Sequence, residues 1–586
     1  MSAVMSSPTT GPSPSTRRTT SGRRLFLESI GVVSLLMADG LRPAAQSRAA
    51  SAAEYRPVLV VSVASYEKLV RDVQCFADAR LIALGAHLLG HVLGAPVDST
   101  TLAPAGLDAR RPWGLVMETD GQSFPVYGFL PVTDLQRLLA GSVAAGRIQA
   151  PVRGVYELSV AGRTWYATQR GVWAVFATSR HGLATVPADP VKMLGNLHAT
   201  HDLAVRVFLK NFPEEARRLA KRWLNEGPRL LLTRKPGESE LVHGLRSTLA
   251  TKGLDLAAAL ADEGDRLTLG ASLDFRARTA VADLEIVVRP GTSTAESLGA
   301  PHKTQTAFGG FLMPSAALSG LWTGEIARIP LHHLLTLFDP AADQLARAGG
   351  KRSFGPLWRA VRESLVEESV DGGIAAVIRS DRFTLVVGGF VADGAKLQDR
   401  IEELARSASA RPQGAAAPAW KADAAQYQGV RLHVLSLPIP NDAPDRLLLV
   451  RALGDAAEIA VGIGPRSLYV AAGKNPVQAI RQVIRDSKAK TPRKPAPVQF
   501  SLALGPLARF VGAASGGPVA LQAARMADHL EQSGAKDRVR LTAQPVEHGA
   551  QARLEIEEGV LGALVSLAAP AQAAPGPRRP LPAPKR

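Results

Sequence analysis

The chain has 586 residues, 46% of them hydrophobic and 21% charged, with a formal net charge of +17. That length exceeds what one hydrophobic core supports, so two or three domains are expected, and the composition excludes wholesale disorder. The charge gathers at the ends: residues 1–52 carry a net +4, and Arg578, Arg579, Lys585 and Arg586 add another +4, leaving +9 over the body. Without blocks of like charge or interleaved aromatic residues, the body reads as a solvated basic surface and no nucleic-acid partner is expected. Cys75 is the single cysteine, which rules out an intrachain disulfide or a cysteine-based zinc cluster; its amphipathic segment suits it to core packing.

The first residues are rich in Ser, Thr, Pro and Arg, and Ser-Gly-Arg23-Arg24-Leu25-Phe26-Leu27 leads into the apolar run from Ile30 to Met37. A basic region, a brief apolar region and a small-residue site in that order form a signal peptide, with Ala50-Ser51-Ala52 as the cleavage site. The paired arginines before Leu-Phe-Leu resemble the twin-arginine export motif, with Gly22 and Glu28 departing from its usual flanks. The apolar run is too short for a stable anchor, since about 20 apolar residues are needed to cross roughly 30 Å. The expected product is an exported protein, periplasmic or secreted, with no transmembrane anchor in the mature chain.

From Tyr55 onward, short apolar runs alternate with Gly, Asp and Pro turn signals. The strand Val58–Val63 precedes a helix that Ser65 caps, and a hairpin follows, Trp113–Thr119 and Phe124–Leu130, joined through Asp120-Gly121. A helix from Asp134 comes next, then strands at Val155–Val160, Thr164–Thr168 and Trp173–Ala177, a helical stretch, and a strand at Asp202–Leu209. Pro213 opens a helix ahead of Glu214 and Glu215, and a hairpin of Arg266–Leu273 and Ala280–Val288 closes the unit.

The second half repeats this order. Phe383–Val391 leads to a helix from Lys396, strands at Val430–Leu435, Glu458–Ile463 and Ser467–Ala472, a helix from Pro476 and the strand Val498–Leu504. The closing hairpins agree residue by residue, Asp265-Arg266-Leu267 with Asp537-Arg538-Val539 and Leu284-Glu285-Ile286 with Leu554-Glu555-Ile556, at nearly constant shift. That pattern points to one ancestral domain duplicated in tandem. The fold class is α+β, each repeat a mainly antiparallel sheet with one face covered by helices. The expected organisation is a signal peptide over 1–52, repeat 1 over 53–295, repeat 2 over 296–565, and a disordered Ala/Pro/Arg tail over 566–586, with a loop at Arg411–Pro418.

The stretches RPWGLVMETDGQSFPVYGFLPVTDLQRLL, DLAVRVFLKNFPE, LSGLWTGEI and VRLHVLSLPIP resemble an uncharacterised family of large exported proteins from planctomycete-type bacteria. The resemblance covers most of residues 55–560 and implies the same fold and export. It brings no assigned activity and no catalytic residues.

Candidate chemistry is sparse. His198-x-x-His201 and the pair His332-His333 lack an H-E-x-x-H context or a third ligand, so no metal site is expected. Ser65-x-x-Lys68 has the S-x-x-K spacing of penicillin-binding enzymes, but no K-T-G accompanies it, and Ser487-x-x-Lys490 shows how easily the spacing arises. Val461-Gly-Ile-Gly-Pro-Arg466 leads into a strand and reads as a hairpin turn, so no cofactor is expected. The pairs Glu367-Glu368, Glu402-Glu403 and Glu557-Glu558 read as solvated faces, and Trp113, Tyr127, Trp165, Tyr166 and Trp173 as core. The expectation is a non-catalytic binding or scaffolding protein of the cell envelope. The alternative is an envelope hydrolase with a polar cleft between the two repeats.

Overall fold

A computed structural model describes residues 55–74, 105–141, 148–160, 163–226, 232–234, 240–274, 276–299, 306–324, 371–379, 382–409, 419–439, 446, 450, 453–489, 496–514, 517–534 and 536–568. The export segment, Cys75, His332, His333, Glu367, Glu368, Lys490, the Arg411–Pro418 loop and the tail beyond Ala568 lie outside the described residues.

The apolar runs build β1 (Arg56–Val63), β2 (Trp113–Thr119), β3 (Val126–Pro131), β4 (Ile148–Val152), β5 (Val155–Val160), β6 (Arg163–Arg170), β7 (Trp173–Ala177), β8 (Leu203–Phe208), β9 (Gly264–Asp274) and β10 (Thr279–Val288). A second ten follow: β11 (Leu318–Thr323), β12 (Asp371–Arg379), β13 (Arg382–Phe390), β14 (Ala419–Tyr427), β15 (Val430–Pro438), β16 (Ala456–Gly464), β17 (Ser467–Gly473), β18 (Val498–Ala503), β19 (Arg538–Val546) and β20 (Gly549–Glu557). All belong to one 20-stranded sheet. Its first half is ordered β4-β5-β6-β7-β3-β2-β1-β8-β9-β10, each pairing antiparallel. Its second half is ordered β14-β15-β16-β17-β13-β12-β11-β18-β19-β20, again antiparallel. Each strand of the second half thus holds the place of the strand ten numbers earlier.

The halves join edge to edge. β10 pairs antiparallel with β20, from Thr279 opposite Glu557 to Val287 opposite Gly549. Asp283 lies opposite Arg553 at the middle of this register, and the two are 270 residues apart, the shift that relates Leu284 to Leu554. The pairing is therefore centred on a position and its own counterpart. The two strands that end the sheet among the described residues, β4 and β14, each carry a bulge, beside Pro151 in β4 and beside Lys421 in β14, devices that blunt edge-to-edge association.

Helices also recur in place. α1 (Tyr66–Gln74) follows β1; α2 (Leu135–Gly141) follows β3, as α8 (Gly394–Ser409) follows β13; α3 (Arg180–Thr185) and the one-turn α4 (Leu197–Thr200) follow β7, as α9 (Pro476–Ala489) follows β17. The pair α5 (Glu214–Glu226) and α6 (Glu240–Glu263) follows β8, as α10 (Leu504–Ala514) and α11 (Gly517–Gln532) follow β18; α7 (Ser293–Gly299) and α12 (Glu558–Ala568) follow the closing hairpins. Local chemistry explains the starts. The Ser65 hydroxyl accepts from the Lys68 amide as an N-cap, and Asp134 and Asp393 cap the equivalent helices α2 and α8.

Helices cover both faces of the outer strands, which corrects the one-face expectation. Leu135 and Leu139 of α2 pack on one side of β1 and β2 with Leu59 and Met117, whereas Leu183 and Leu197 pack on the other side with Val60 and Val116. In the second half, Leu397 and Ile401 of α8 pack with Ile374 and Val387, and Ile480 and Val483 of α9 pack on the opposite side with Ala375 and Val386. The reason is legible in strands such as β13, where Leu385-Val386-Val387 is apolar on consecutive residues and so buries both sides.

Three further differences are local. The expected boundary at 295/296 falls within α7, and α12 runs to Ala568, past the expected tail start at 566. The β2–β3 hairpin closes through a longer loop than Asp120-Gly121 alone: only Gly121 takes positive φ, at 95°, while the Asp120 carboxylate accepts from the Gln122 and Ser123 amides.

Candidate functional site

The six central strands, in the order β8-β9-β10-β20-β19-β18, differ from the outer ones in that apolar residues alternate with polar ones. Leu267, Leu269 and Ala271 alternate with Arg266, Thr268 and Gly270; Val539 and Leu541 alternate with Arg538, Arg540 and Thr542. Period-two alternation places the two sets on opposite faces, and the register aligns them across all six strands.

On one face, two cross-strand rows are wholly apolar. The first runs Leu203, Ala271, Ala282, Leu554, Leu541, Phe500, and the second Val205, Leu269, Leu284, Ala552, Ala543, Val498. Five interstrand steps of about 4.8 Å make each row roughly 24 Å long. Among the described residues, helices reach this face only from its margins. Leu260 of α6 and Ala295 of α7 cover Ile286 and Val288, and Leu530 of α11 and Val560 of α12 cover Val539 and Ile556. Between those margins Leu203, Leu269 and Leu541 keep 40%, 50% and 38% of their surface exposed, and Ala271 and Ala282 are exposed with them. Small residues in the middle, Ala271, Ala282, Ala543 and Ala552, make a low floor between leucine ridges. The row ends, Val205, Phe500, Ala543 and Val498, pack into the outer cores, and the exposed apolar surface left between them is of the kind that binding grooves present.

The other face of the same strands is a ladder of ion pairs. Arg553 clamps Asp283 through both oxygens, Nε at 2.8 Å and Nη2 at 3.1 Å, while Arg266 pairs with Glu285 at 3.2 Å and Arg540 with Glu557 at 2.7 Å. Asp283 is buried, and its hydrogen bonds are the leading cause that raises the Arg553 pKa. His201, half-enclosed, lies over Gly270, where any Cβ would collide with the imidazole, and its Nδ1 stands 3.8 Å from Asp283 Oδ2. Burial lowers the His201 pKa, opposed by the Asp283 charge.

A hydrolytic site would need more than this at the seam. His201 Nδ1 makes no hydrogen bond, both Asp283 oxygens are engaged by Arg553, and Ser272, on the same face, donates to the Thr200 carbonyl at 3.4 Å. A nucleophile–base pair needs hydrogen-bond contact, and none is made here among the described residues. Among those residues, also, no three His, Cys, Asp or Glu side chains gather as a ligand set.

The residues singled out in sequence have structural positions. His198 sits in the one-turn helix α4, and His201 ends that helix. Lys68 of the S-x-x-K spacing bridges buried Asp72, at 3.0 Å, and buried Asp202, tying α1 to the start of β8; Asp202 in turn accepts from the Leu273 amide at 2.7 Å. The Ser487 hydroxyl accepts from the Gly310 amide at 2.9 Å, where Gly310 lies against the α9 backbone too closely for any side chain. Val461–Gly464 end β16, and Pro465-Arg466 form the β16–β17 hairpin turn. Trp113, Tyr127, Trp165 and Trp173 are buried and Tyr166 is half-buried beneath Arg180. Glu557 and Glu558 are not a solvated pair: Glu557 binds Arg540, and Glu558 is buried and 3.5 Å from Arg278.

None of these readings located the apolar face. Its signal was the strict alternation within the closing hairpins, which fixes two unlike faces but not which one stays uncovered. No protein-family model, curated protein or solved structure matches the chain. No helix of the described residues is long and apolar enough to cross a membrane.

Proposed function

We propose that this is an exported, non-catalytic binding protein of the cell envelope, and that its binding surface is the apolar face of the six central strands, which takes the hydrocarbon chain of a lipid-like ligand. The observation that carries the reading is the pair of apolar rows with their exposed leucines. From Leu203 to Leu541 the first row stays exposed or half-buried over four interstrand steps, roughly 19 Å, which is longer than the roughly 15 Å that the chains of one leaflet span, half of an approximately 30 Å hydrocarbon core. An extended acyl chain can lie along it, and ligand pockets of this kind are lined mainly by apolar side chains. Export is supported by Arg23-Arg24-Leu25-Phe26-Leu27 and the Ala50-Ser51-Ala52 site.

The surface is a product of the tandem duplication that we also propose. Repeated strand order, repeated helix placement and the matched closing hairpins support it. In a symmetric ancestor the residue at the axis would face its own copy; here Asp283 and Arg553 face each other as opposite charges, an option open only after fusion.

Titrating the purified mature chain, residues 53–586, with a fluorescent fatty acid tests the binding reading. Saturable binding is expected, weakened at least tenfold in Leu269→Asp/Leu541→Asp, since two buried carboxylates cost far more than that factor. Absence of binding by the wild-type chain, or equal binding by the double variant, would sink the proposal.

A further inference from the structure

We infer, resting on the acyl-binding reading, that the apolar face holds one hydrocarbon chain per protein and seats it in the first half of the sheet, over Ala271 and Ala282. The two apolar rows are counterparts of each other. Ala271 opposite Ala282 in the β9–β10 hairpin corresponds to Ala543 opposite Ala552 in the β19–β20 hairpin, and Leu269 opposite Leu284 corresponds to Leu541 opposite Leu554. In the first hairpin the alanines lie in the first row and the leucines in the second; in the other hairpin the order is reversed. Neighbouring rows stand two residues apart along a strand, roughly 7 Å. Each hairpin thus carries a low trough of two alanines beside a ridge of two leucines.

The two troughs are not equally open. Ala271 and Ala282 are exposed, whereas Ala543 and Ala552 are half-buried. The strands beside each hairpin account for the difference. In the second half, Val498 of β18 lies between Ala543 of β19 and Trp322 of β11. Trp322 is buried and stacks on Phe500 with ring centroids 6.2 Å apart, Val498 keeps only 4% of its surface, and Ala543 packs against the same core. The Phe500 ring fits there because the residue opposite it is Gly320, where a Cβ would stand 2.5 Å from the ring. In the first half the places of Trp322, Phe500 and Gly320 are held by Val63, Val205 and Val61. Valines leave less bulk beside the trough than a stacked Trp–Phe pair, and Leu203, which holds the place of Val498, is 40% exposed.

The first trough therefore has an open floor, with Leu269 and Leu284 along one side and Leu273 along the other. A linear chain lying in it removes apolar surface from water on its underside and both flanks, which is where the binding free energy of such a ligand arises. The second trough is already filled from its outer end by the protein's own side chains, so a second chain finds no equivalent seat.

The test is calorimetric titration of the mature chain, residues 53–586, with a fatty acid that carries a photoactivatable diazirine, followed by mapping of the cross-linked residues by mass spectrometry. Saturation at one fatty acid per chain is expected, with cross-links on β9 and β10. Ala271→Leu/Ala282→Leu raises the floor to the height of the ridge and should weaken binding about tenfold. Both positions are exposed, so the melting temperature should stay that of the wild type. Saturation at two fatty acids per chain, cross-linking around Ala543 equal to that around Ala271, or unchanged affinity in Ala271→Leu/Ala282→Leu overturns the single seat while acyl binding itself stands. A wild-type chain that binds no fatty acid overturns both.

Discussion

The outer strands and the six central strands belong to the same sheet but solve burial differently. In the outer strands consecutive residues are apolar, helices lie on both faces, and neither Leu432 of β15 nor Phe311, which packs on these strands, has exposed surface. In the central strands residues alternate, one face is a ladder of ion pairs, and among the described residues the apolar face is covered only from its margins. The difference teaches that apolar surface is closed where it holds the fold and left partly open where the two halves meet. Exposed apolar patches larger than a few hundred square ångströms are uncommon on soluble monomers.

Substitutions should separate the two regions. The largest effect is expected in the outer core, where Phe311 stacks on Tyr469 and packs between Gly373 and Gly388. Phe311→Ala should lose about 3–5 kcal/mol in denaturant unfolding, with ligand binding by the remaining folded fraction intact. Arg553→Ala comes next. It leaves the buried Asp283 carboxylate without its two hydrogen bonds, costing about 2 kcal/mol, and adding Asp283→Ala should restore part of that loss. If the double variant is less stable than Arg553→Ala, the ladder account of the central face is wrong.

A smaller, pH-dependent effect belongs to the outer strands. His433 is fully buried, stacked on Trp420, and its Nδ1 accepts from the Asp423 amide at 3.1 Å. Burial holds its pKa below the ordinary imidazole value, opposed by the charges of Asp423 and Glu402. The unfolded chain therefore takes up a proton near pH 6.5 before the folded one does. Stability from this group is full above that pH and is lost as the pH falls toward the folded pKa. Melting temperatures should decline on acidification below about pH 6.5, and His433→Gln should flatten that decline. The same slope in both proteins would remove His433 from the account. Smallest of all is Leu269→Ala, which should change stability by no more than about 0.5 kcal/mol while weakening acyl binding. A loss resembling that of Phe311→Ala would mean that Leu269 is core.

Much of the local structure was legible because it depends on neighbours in sequence. Strands β5 to β10 and β15 to β18, the Ser65 cap and the Pro213 start follow from apolar periodicity, capping hydroxyls and proline geometry. β4, β11, β12 and β14 did not stand out. β11 and β12 contain Gly320, Gly372 and Gly373, which weaken a strand signal yet are required where a Cβ would meet Phe500, the Gly388 carbonyl and Phe311 respectively.

By itself, then, the sequence determined the α+β class, the antiparallel hairpins, the internal match between the closing hairpins and the two-faced character of the central strands. All of these rest on contacts close along the chain or on residue identity. Only tertiary structure decided that helices cover both faces of the outer strands, that β1 lies between β2 and β8, and that the halves join through β10 and β20 into one sheet. These depend on pairings made across as many as 278 residues, from Thr279 to Glu557, where alternation fixes the face each side chain takes but not the strand or helix that covers it.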